Sequence, residues 1–306
     1  MNKANIKHFI IRTCFKILPN KWFVKTLFKI RHGYKLNFDH PTTFNEIINV
    51  NKFNEKYLEY SKYTDKANVK SVVNAIVGKD ICFPTIGVYK KMTRELFDSL
   101  PNQFVMKSTH NSQCLSVVKD KSSLSTKEIN KIIKKQNKAL KINGAAQMHE
   151  LQYKNVEPQI IVEKLMLDET GELPKDYKIL CIHGEPQFIE VDYDRLTDFR
   201  LVFMSPSWKK MPWRLGKFCS AKDDNPKKPD NLDEMLELAK LLSKDFPFVR
   251  VDLYSFNKRI YFGELTFLHD SGFSKFDDYK WDLYYGNLIN GVDVLDSSAS
   301  NRHQPQ

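Results

Sequence analysis

The amino-acid sequence predicts an α+β fold, and two observations carry that prediction. Residues 247–272, PFVRVDLYSFNKRIYFGELTFLHDSG, contain two runs rich in β-branched and aromatic residues, 249–254 and 260–267, with Asn257-Lys258 between them as turn material, which reads as a β-hairpin. Immediately upstream, NLDEMLELAKLLSKDF places Leu232, Met235, Leu236, Ala239 and Leu242 on one stripe at helical spacing. At 306 residues the chain is longer than one average domain and long enough to bury a substantial core.

The hairpin is chemically unusual. Asp252 and Glu264 sit inside otherwise apolar strands, where an ionised carboxylate must be paired, neutralised or bound to a metal. Side chains two apart share a strand face, so Arg250 joins Asp252 and Thr266 joins Glu264. Three oxygen-bearing side chains on one face suit Mg²⁺, which takes one or two carboxylates and fills its other positions with water and phosphate. An arginine beside them can hold a phosphate or carboxylate bidentately. An internal salt bridge of Arg250 with Asp252 or Glu264 satisfies the same spacing, and both readings stand at this stage.

A net charge of +11, from 48 basic and 37 acidic side chains, favours an anionic partner without choosing among nucleotide, nucleic acid, lipid and acidic glycan. Cys14, Cys82, Cys114, Cys181 and Cys219 are scattered and odd in number, which predicts neither a disulfide framework nor a zinc site and fits a reducing cytoplasm. No apolar run approaches the ~20 residues needed to cross a bilayer. Residues 1–38 read as two short basic amphipathic helices broken at Pro19-Asn20. Such helices can lie on an anionic membrane at the inner face of the cytoplasm, or dock on the body of the protein through the same apolar stripe.

In chain order, Thr43 and Glu46 form a capping-box pattern at the start of a helix, and TDKANVKSVVNAIVG predicts a second helix with Gly78 as its C-cap. Lys66, in the first turn of that pattern, has the ordinary place of a solvated residue. QFVM reads as a buried strand ending at Lys107, followed by a polar loop and a returning strand, CLSVVKD; the loop lacks glycine and is no P-loop. Ser125 or Thr126, with Glu128, opens a basic helix. IIVEKLM is a short strand carrying Glu163, and DYKILCIHGEPQFIEVDYD predicts two strands joined by residues 183–186. The strand-borne charges Glu163, Asp176, Lys178, Asp192 and Arg195 exceed what a buried sheet face needs and suggest a polar cleft. Residues 205–230 have no periodicity and predict a long loop, with Trp208 and Trp213 favouring an ordered one. A final helix ends at Gly291, and residues 294–306 form a low-complexity tail.

PTTFNE, TDKANVK, FVMKSTHNSQC, IIVEKLM, DYKILCIHGEP and above all VRVDLYSFNKRIYFGELTFLHDSG stand in the order seen in the ATP-grasp superfamily. Over residues 31–290 the chain resembles the TupA-like ATP-grasp proteins of bacterial surface-polysaccharide loci, named after teichuronopeptide biosynthesis. The resemblance implies an ATP-grasp fold with ATP between two α+β lobes. Its expected divisions are a basic helical segment at 1–60, a first lobe at 61–165, a second lobe at 166–293 and the tail. Lys66 and Lys107 look like the lysines that grip ATP phosphates, and Glu163, Lys164 and Leu165 like the hinge that meets ribose and adenine. Asp252 and Glu264 look like the Mg²⁺ carboxylates, with Thr266 where the wider superfamily has Asn, and Arg250 like the arginine near an acyl-phosphate. Gln113 stands where a glycine is typical of the phosphate loop.

The implied activity is ATP- and Mg²⁺-dependent joining of a carboxylate to an amine through an acyl-phosphate, a reaction that needs alignment and charge stabilisation more than covalent help from the protein. Arg250, Lys107 and Arg195 are the candidate catalytic side chains, and Lys178 is a further candidate ATP contact. His110, Arg195, Arg214 and Ser271 are the substrate candidates. Family context implies a uronic-acid carboxylate on an acidic glycan or lipid-linked saccharide, joined to an amino acid or another amine. A sugar-nucleotide glycosyltransferase is the alternative, with Asp192-Tyr193-Asp194 as its D-x-D. Nucleic-acid binding is not expected, because the lysines are dispersed and no recognised module appears.

Overall fold

The computed structural model describes residues 20–111, 114–142, 148–167, 171–193, 200–216 and 224–292. Two antiparallel sheets organise it. A four-stranded sheet has the order β1-β4-β2-β3, built from Thr85–Tyr89 (β1), Phe104–Ser108 (β2), Leu115–Val118 (β3) and Ile160–Lys164 (β4). A five-stranded sheet runs β7-β6-β5-β8-β9, from Asp176–Ile182 (β5), Glu185–Tyr193 (β6), Arg200–Met204 (β7), Phe248–Phe256 (β8) and Arg259–Thr266 (β9).

Local chemistry explains most boundaries. The helix Phe44–Asn51 (α1) opens on a capping box in which Thr43 accepts from the Glu46 amide and Glu46 reaches back. Ser125 and Glu128 form the same device at Thr126–Ala139 (α2). The helix Val69–Val77 ends on Gly78 at φ 75°, the left-handed cap expected. At the β8–β9 turn Asn257 and Lys258 have φ of 47° and 59°, the twin positive angles that a tight hairpin with the native strand twist requires. The β5–β6 connection is tighter than residues 183–186: His183 and Gly184 alone make the turn, and Glu185 already pairs with Ile182.

Alternation gives the five-stranded sheet two chemically opposite faces. Tyr177, Ile179, Cys181, Val249, Val251 and Leu253 are buried on one, where the helix Leu232–Ser243 (α3) packs against β5, β6 and β8. Leu232, Met235, Ala239 and Leu242 of the expected stripe are buried, joined by Leu238, whereas Leu236 is only partly covered. Lys178, Asp252 and Glu264 fall on the other face.

The aperiodic stretch after β7 is anchored rather than free where it is described. Lys210 bridges to Met204 and Leu215 to Phe276, and Trp213 is buried among Phe188, Phe203, Phe276 and Tyr285. The helix Asn20–His32 buries Phe23, Val24, Leu27 and Phe28, so this part of the basic N-terminal stretch docks on the protein body, leaving Trp22 and Ile30 exposed. No helix among the described residues is long and apolar enough to cross a membrane.

The last helix, Tyr279–Ile289 (α4), crosses the start of α1 so closely that a Cβ at Gly286 would lie 2.1 Å from the Thr42 carbonyl oxygen and 2.7 Å from the Phe44 amide nitrogen. Asp282 on the same helix accepts the Asn45 amide at 2.9 Å. Both obstacles to a methyl group are backbone atoms, which cannot rotate away. Gly286→Ala should therefore cost about 3 kcal/mol of unfolding free energy, the upper end of ordinary overpacking, as read from the denaturation midpoint.

Candidate active site

Three lysines gather beside the four-stranded sheet. Lys66 lies in the turn before the helix Val69–Val77, held there by Asp65, whose carboxylate accepts from the Ala67 amide at 2.9 Å and the Asn68 side chain at 2.7 Å. Its Nζ donates to the Asn111 carbonyl at 2.9 Å and stands 3.9 Å from Glu264, so it bridges the segment after β2 to β9. Lys107, on β2, reaches Glu163 on β4 at 2.8 Å.

The other oxygen of Glu163 is taken by Lys70, a residue sequence reasoning missed even though it closes the TDKANVK motif, four positions after Lys66. Lys70 also donates to the Phe83 carbonyl and the Thr85 hydroxyl, each at 2.7 Å. Burial would raise the Glu163 carboxyl, but Lys107 and Lys70 hold it below the usual carboxylate range. The Glu163 side chain, a candidate ribose contact, ties two lysines together here. Beside it lies an apolar slot walled by Phe83, Val105, Val117, Leu165, Met166 and Tyr254, with Lys107 and the exposed Lys164 on its margin.

The five-stranded sheet contributes a charged row. Register places Glu190 on β6 opposite Lys178 on β5, Lys178 opposite Asp252 on β8, and Asp252 opposite Glu264 on β9, a single line across four strands. Lys178 donates to Glu190 and to Asp192, each at 2.6 Å. Burial pushes Asp192 up to about 6, against the pull of Lys178. For Glu190 burial acts in the same sense, yet Lys178, with Arg250 behind it, keeps that carboxyl below its ordinary value.

Arg250 grips Asp252 bidentately, Nε to Oδ1 at 2.7 Å and Nη2 to Oδ2 at 2.6 Å, and reaches Glu264 at 3.1 Å. Thr266, opposite Arg250, donates to Glu264 at 3.2 Å. The expected shared face is thus present, with the internal salt bridge made on it. Burial pushes the Asp252 carboxyl up while the guanidinium opposes it. Glu264 would also be raised by burial, but Lys66 and Arg250 keep it low.

The remaining candidates are dispersed. His110 is buried, with Nε2 3.1 Å from the Ile142 carbonyl. Ser271 donates to Glu150. Arg214 has an exposed side chain, and its carbonyl accepts the Asp277 amide at 3.0 Å. Arg195 and Gln113 lie outside the described residues. Besides Lys70, sequence reasoning passed over His269, which touches Arg250, and Glu190, which clamps Lys178. Neither carries a local signal, because each gains its meaning from a partner on another strand.

A family model described as TupA-like ATPgrasp matches residues 46–290. The chain belongs to that family. The two antiparallel sheets with their helices are the α+β ATP-grasp fold, in which Lys66 stands against Glu264 of the five-stranded sheet and Lys70 and Lys107 against Glu163 of the four-stranded one. No curated protein matches the chain. Among solved structures it is similar to a D-alanine–D-alanine ligase from Helicobacter pylori at 15% identity and TM-score 0.39, with 76% of this chain and 62% of that one covered. A D-alanine–D-alanine ligase from Bacillus anthracis gives 13%, 0.40, 78% and 70% for the same quantities. An L-amino acid ligase from Bacillus licheniformis gives 11%, 0.40, 86% and 55%. The chain thus spans between about half and 70% of the length of these proteins.

Proposed function

We propose that this ATP-grasp protein is an ATP- and Mg²⁺-dependent carboxylate–amine ligase whose carboxylate is a uronic acid of a bacterial surface polysaccharide. The observation that carries the reading is that Lys66, held at the Asn111 carbonyl after β2, reaches to 3.9 Å from Glu264 in the Arg250, Asp252 and Glu264 constellation, while Lys107 and Lys70 meet on Glu163.

The donor set fits Mg²⁺. Asp252 and Glu264 are paired across adjacent strands with the Thr266 hydroxyl beside them, and burial pushes the Asp252 carboxyl up even against its Arg250 partner. Among the described residues no group of three or more His, Cys, Asp and Glu side chains is arranged to hold a metal, so water and phosphate oxygens would have to complete a shell around Asp252 and Glu264. Mg²⁺ held there would offset the charge of the transferring phosphoryl group.

The chain's own residues supply the rest. Lys66 and Lys107 bring positive charge to the phosphates, Lys70 and Glu163 hold Lys107 in place, and the slot beside them accepts a flat apolar ring. Arg250 keeps one Nη1 hydrogen beyond its bonds to Asp252, Glu264 and His269, a charged donor suited to a phosphorylated carboxylate. Lys178 sits behind Asp252 as part of the row rather than reaching the slot, so its role in this reading is to keep the buried carboxylates compatible. The net charge of +11 and the exposed Arg214 suit an acidic glycan, with contact at an anionic membrane through residues 1–38 as a second source of attraction. The D-x-D alternative is not favoured, because Asp192 is buried and committed to Lys178.

With Mg²⁺ and saturating ATP or ADP, at about 100 times the dissociation constant, the protein should gain about 2.7 kcal/mol of stability, seen as a raised thermal midpoint. Asp252→Asn combined with Glu264→Gln should remove that gain. Stabilisation by a uridine diphosphate sugar alone would overturn the ligase reading.

A further inference from the structure

Arginine can only donate hydrogen bonds, so the 3.2 Å contact between Arg250 Nη1 and His269 Nδ1 decides the state of the imidazole. Nδ1 must be the bare lone pair, and the ring is neutral with its proton on Nε2. Burial lowers the affinity of the ring for a second proton and Arg250 lowers it further, with Asp270 opposing. Nε2 is buried without a hydrogen-bond partner among the described residues, and Asp270 Oδ2 stands 3.7 Å beyond it.

The other edge of the guanidinium is fully engaged by Asp252 and Glu264, which leaves Nη1 as the edge that His269 holds. His269 is itself fixed from a distance. It leads into Asp270, Ser271 and Gly272, with φ of 45°, 55° and 65°, a left-handed run that two non-glycine residues adopt only under outside constraint. That constraint comes from the N-terminal helices, since His32 and Asn49 both bind the Gly272 carbonyl, at 3.0 and 2.7 Å.

Resting on the ligase reading for the identity of the site, we propose that His269 is a positioning residue for Arg250. As the Nε2–H tautomer, with the Asp270 carboxylate beyond it, it accepts the Nη1 proton and sets the guanidinium plane against the phosphoryl group that the Asp252 and Glu264 pair serves.

Two measurements on the full chain test this. In long-range ¹H–¹⁵N correlation spectra His269 should show a neutral ring protonated at Nε2 around neutral pH; an Nδ1–H tautomer or an imidazolium there overturns the proposal. Titration with Mg²⁺ and a non-hydrolysable ATP analogue should show His269→Asn, which keeps an acceptor near the position of Nδ1, close to the wild type. His269→Phe, which keeps a ring and loses the acceptor, should bind about tenfold more weakly or worse, as expected for one hydrogen bond to a charged group. Equal affinity of the Phe variant and the wild type also overturns it. Failure of the wild type to bind nucleotide sinks the ligase reading instead, and the ring spectrum still decides the tautomer.

Discussion

Arg250→Met should lower the unfolding free energy by about 3–5 kcal/mol, the usual consequence of removing one partner of a buried ion pair and stranding the other. Arg250 and Asp252 have side chains 8% and 4% exposed, so water cannot replace the lost guanidinium. The loss should depend on pH in a determined direction. Without the arginine, burial alone acts on Asp252 and raises its folded pKa above the unfolded value, so the folded state binds more protons than the unfolded one across that interval. Stability of the variant must therefore fall as pH rises through the interval and recover on acidification. Adding Asp252→Asn should restore much of the stability, because the stranded charge is gone. Denaturant titrations of both single variants and the double variant at two pH values measure the effect; no recovery at low pH would show that Asp252 is not the stranded group.

Lys178→Met should be comparably damaging for a different reason. Its Nζ is the shared partner of Glu190 and Asp192 at 2.6 Å each, so one substitution strands two carboxylates. A loss of about 3–5 kcal/mol at neutral pH is expected. In the wild type Asp192 is already raised to about 6, which means that its contribution to stability declines as pH climbs from the ordinary aspartate value towards 6. Removal of Lys178 should extend that decline to higher pH and bring Glu190 into it. A variant with an unchanged pH profile would refute Lys178 as the shared partner of Asp192 and Glu190.

Much of the site was legible because it is local. Arg250 and Asp252 share a strand face by parity, as do Glu264 and Thr266, but the Asn257-Lys258 turn alone would set Gly263 opposite Asp252, and a one-residue bulge between Asp252 and Leu253 brings Glu264 and Thr266 opposite their partners. The capping boxes at Thr43 and Ser125 and the cap at Gly78 follow from short-range hydrogen bonding and were equally readable. His110 shows the limit of such reading: a histidine after a lysine-bearing strand looks available to substrate, yet its Nε2 is spent on a carbonyl 32 positions away. Glu163 shows another limit, since a strand glutamate at a hinge gives no hint that Lys70 and Lys107 will meet on it.

By itself the sequence determined the α+β class, the hairpin with its buried carboxylates and the excess of positive charge, because periodicity, turn chemistry and composition are properties of neighbouring residues. Tertiary structure decided which charges neutralise which. The row Glu190, Lys178, Asp252 and Glu264 exists only once four strands lie side by side, and the hold of His269 on Arg250 depends on helices more than two hundred positions earlier in the chain. A buried charge is tolerated only with its partner in place, and for these residues the partners come from other strands and helices that the fold alone brings together.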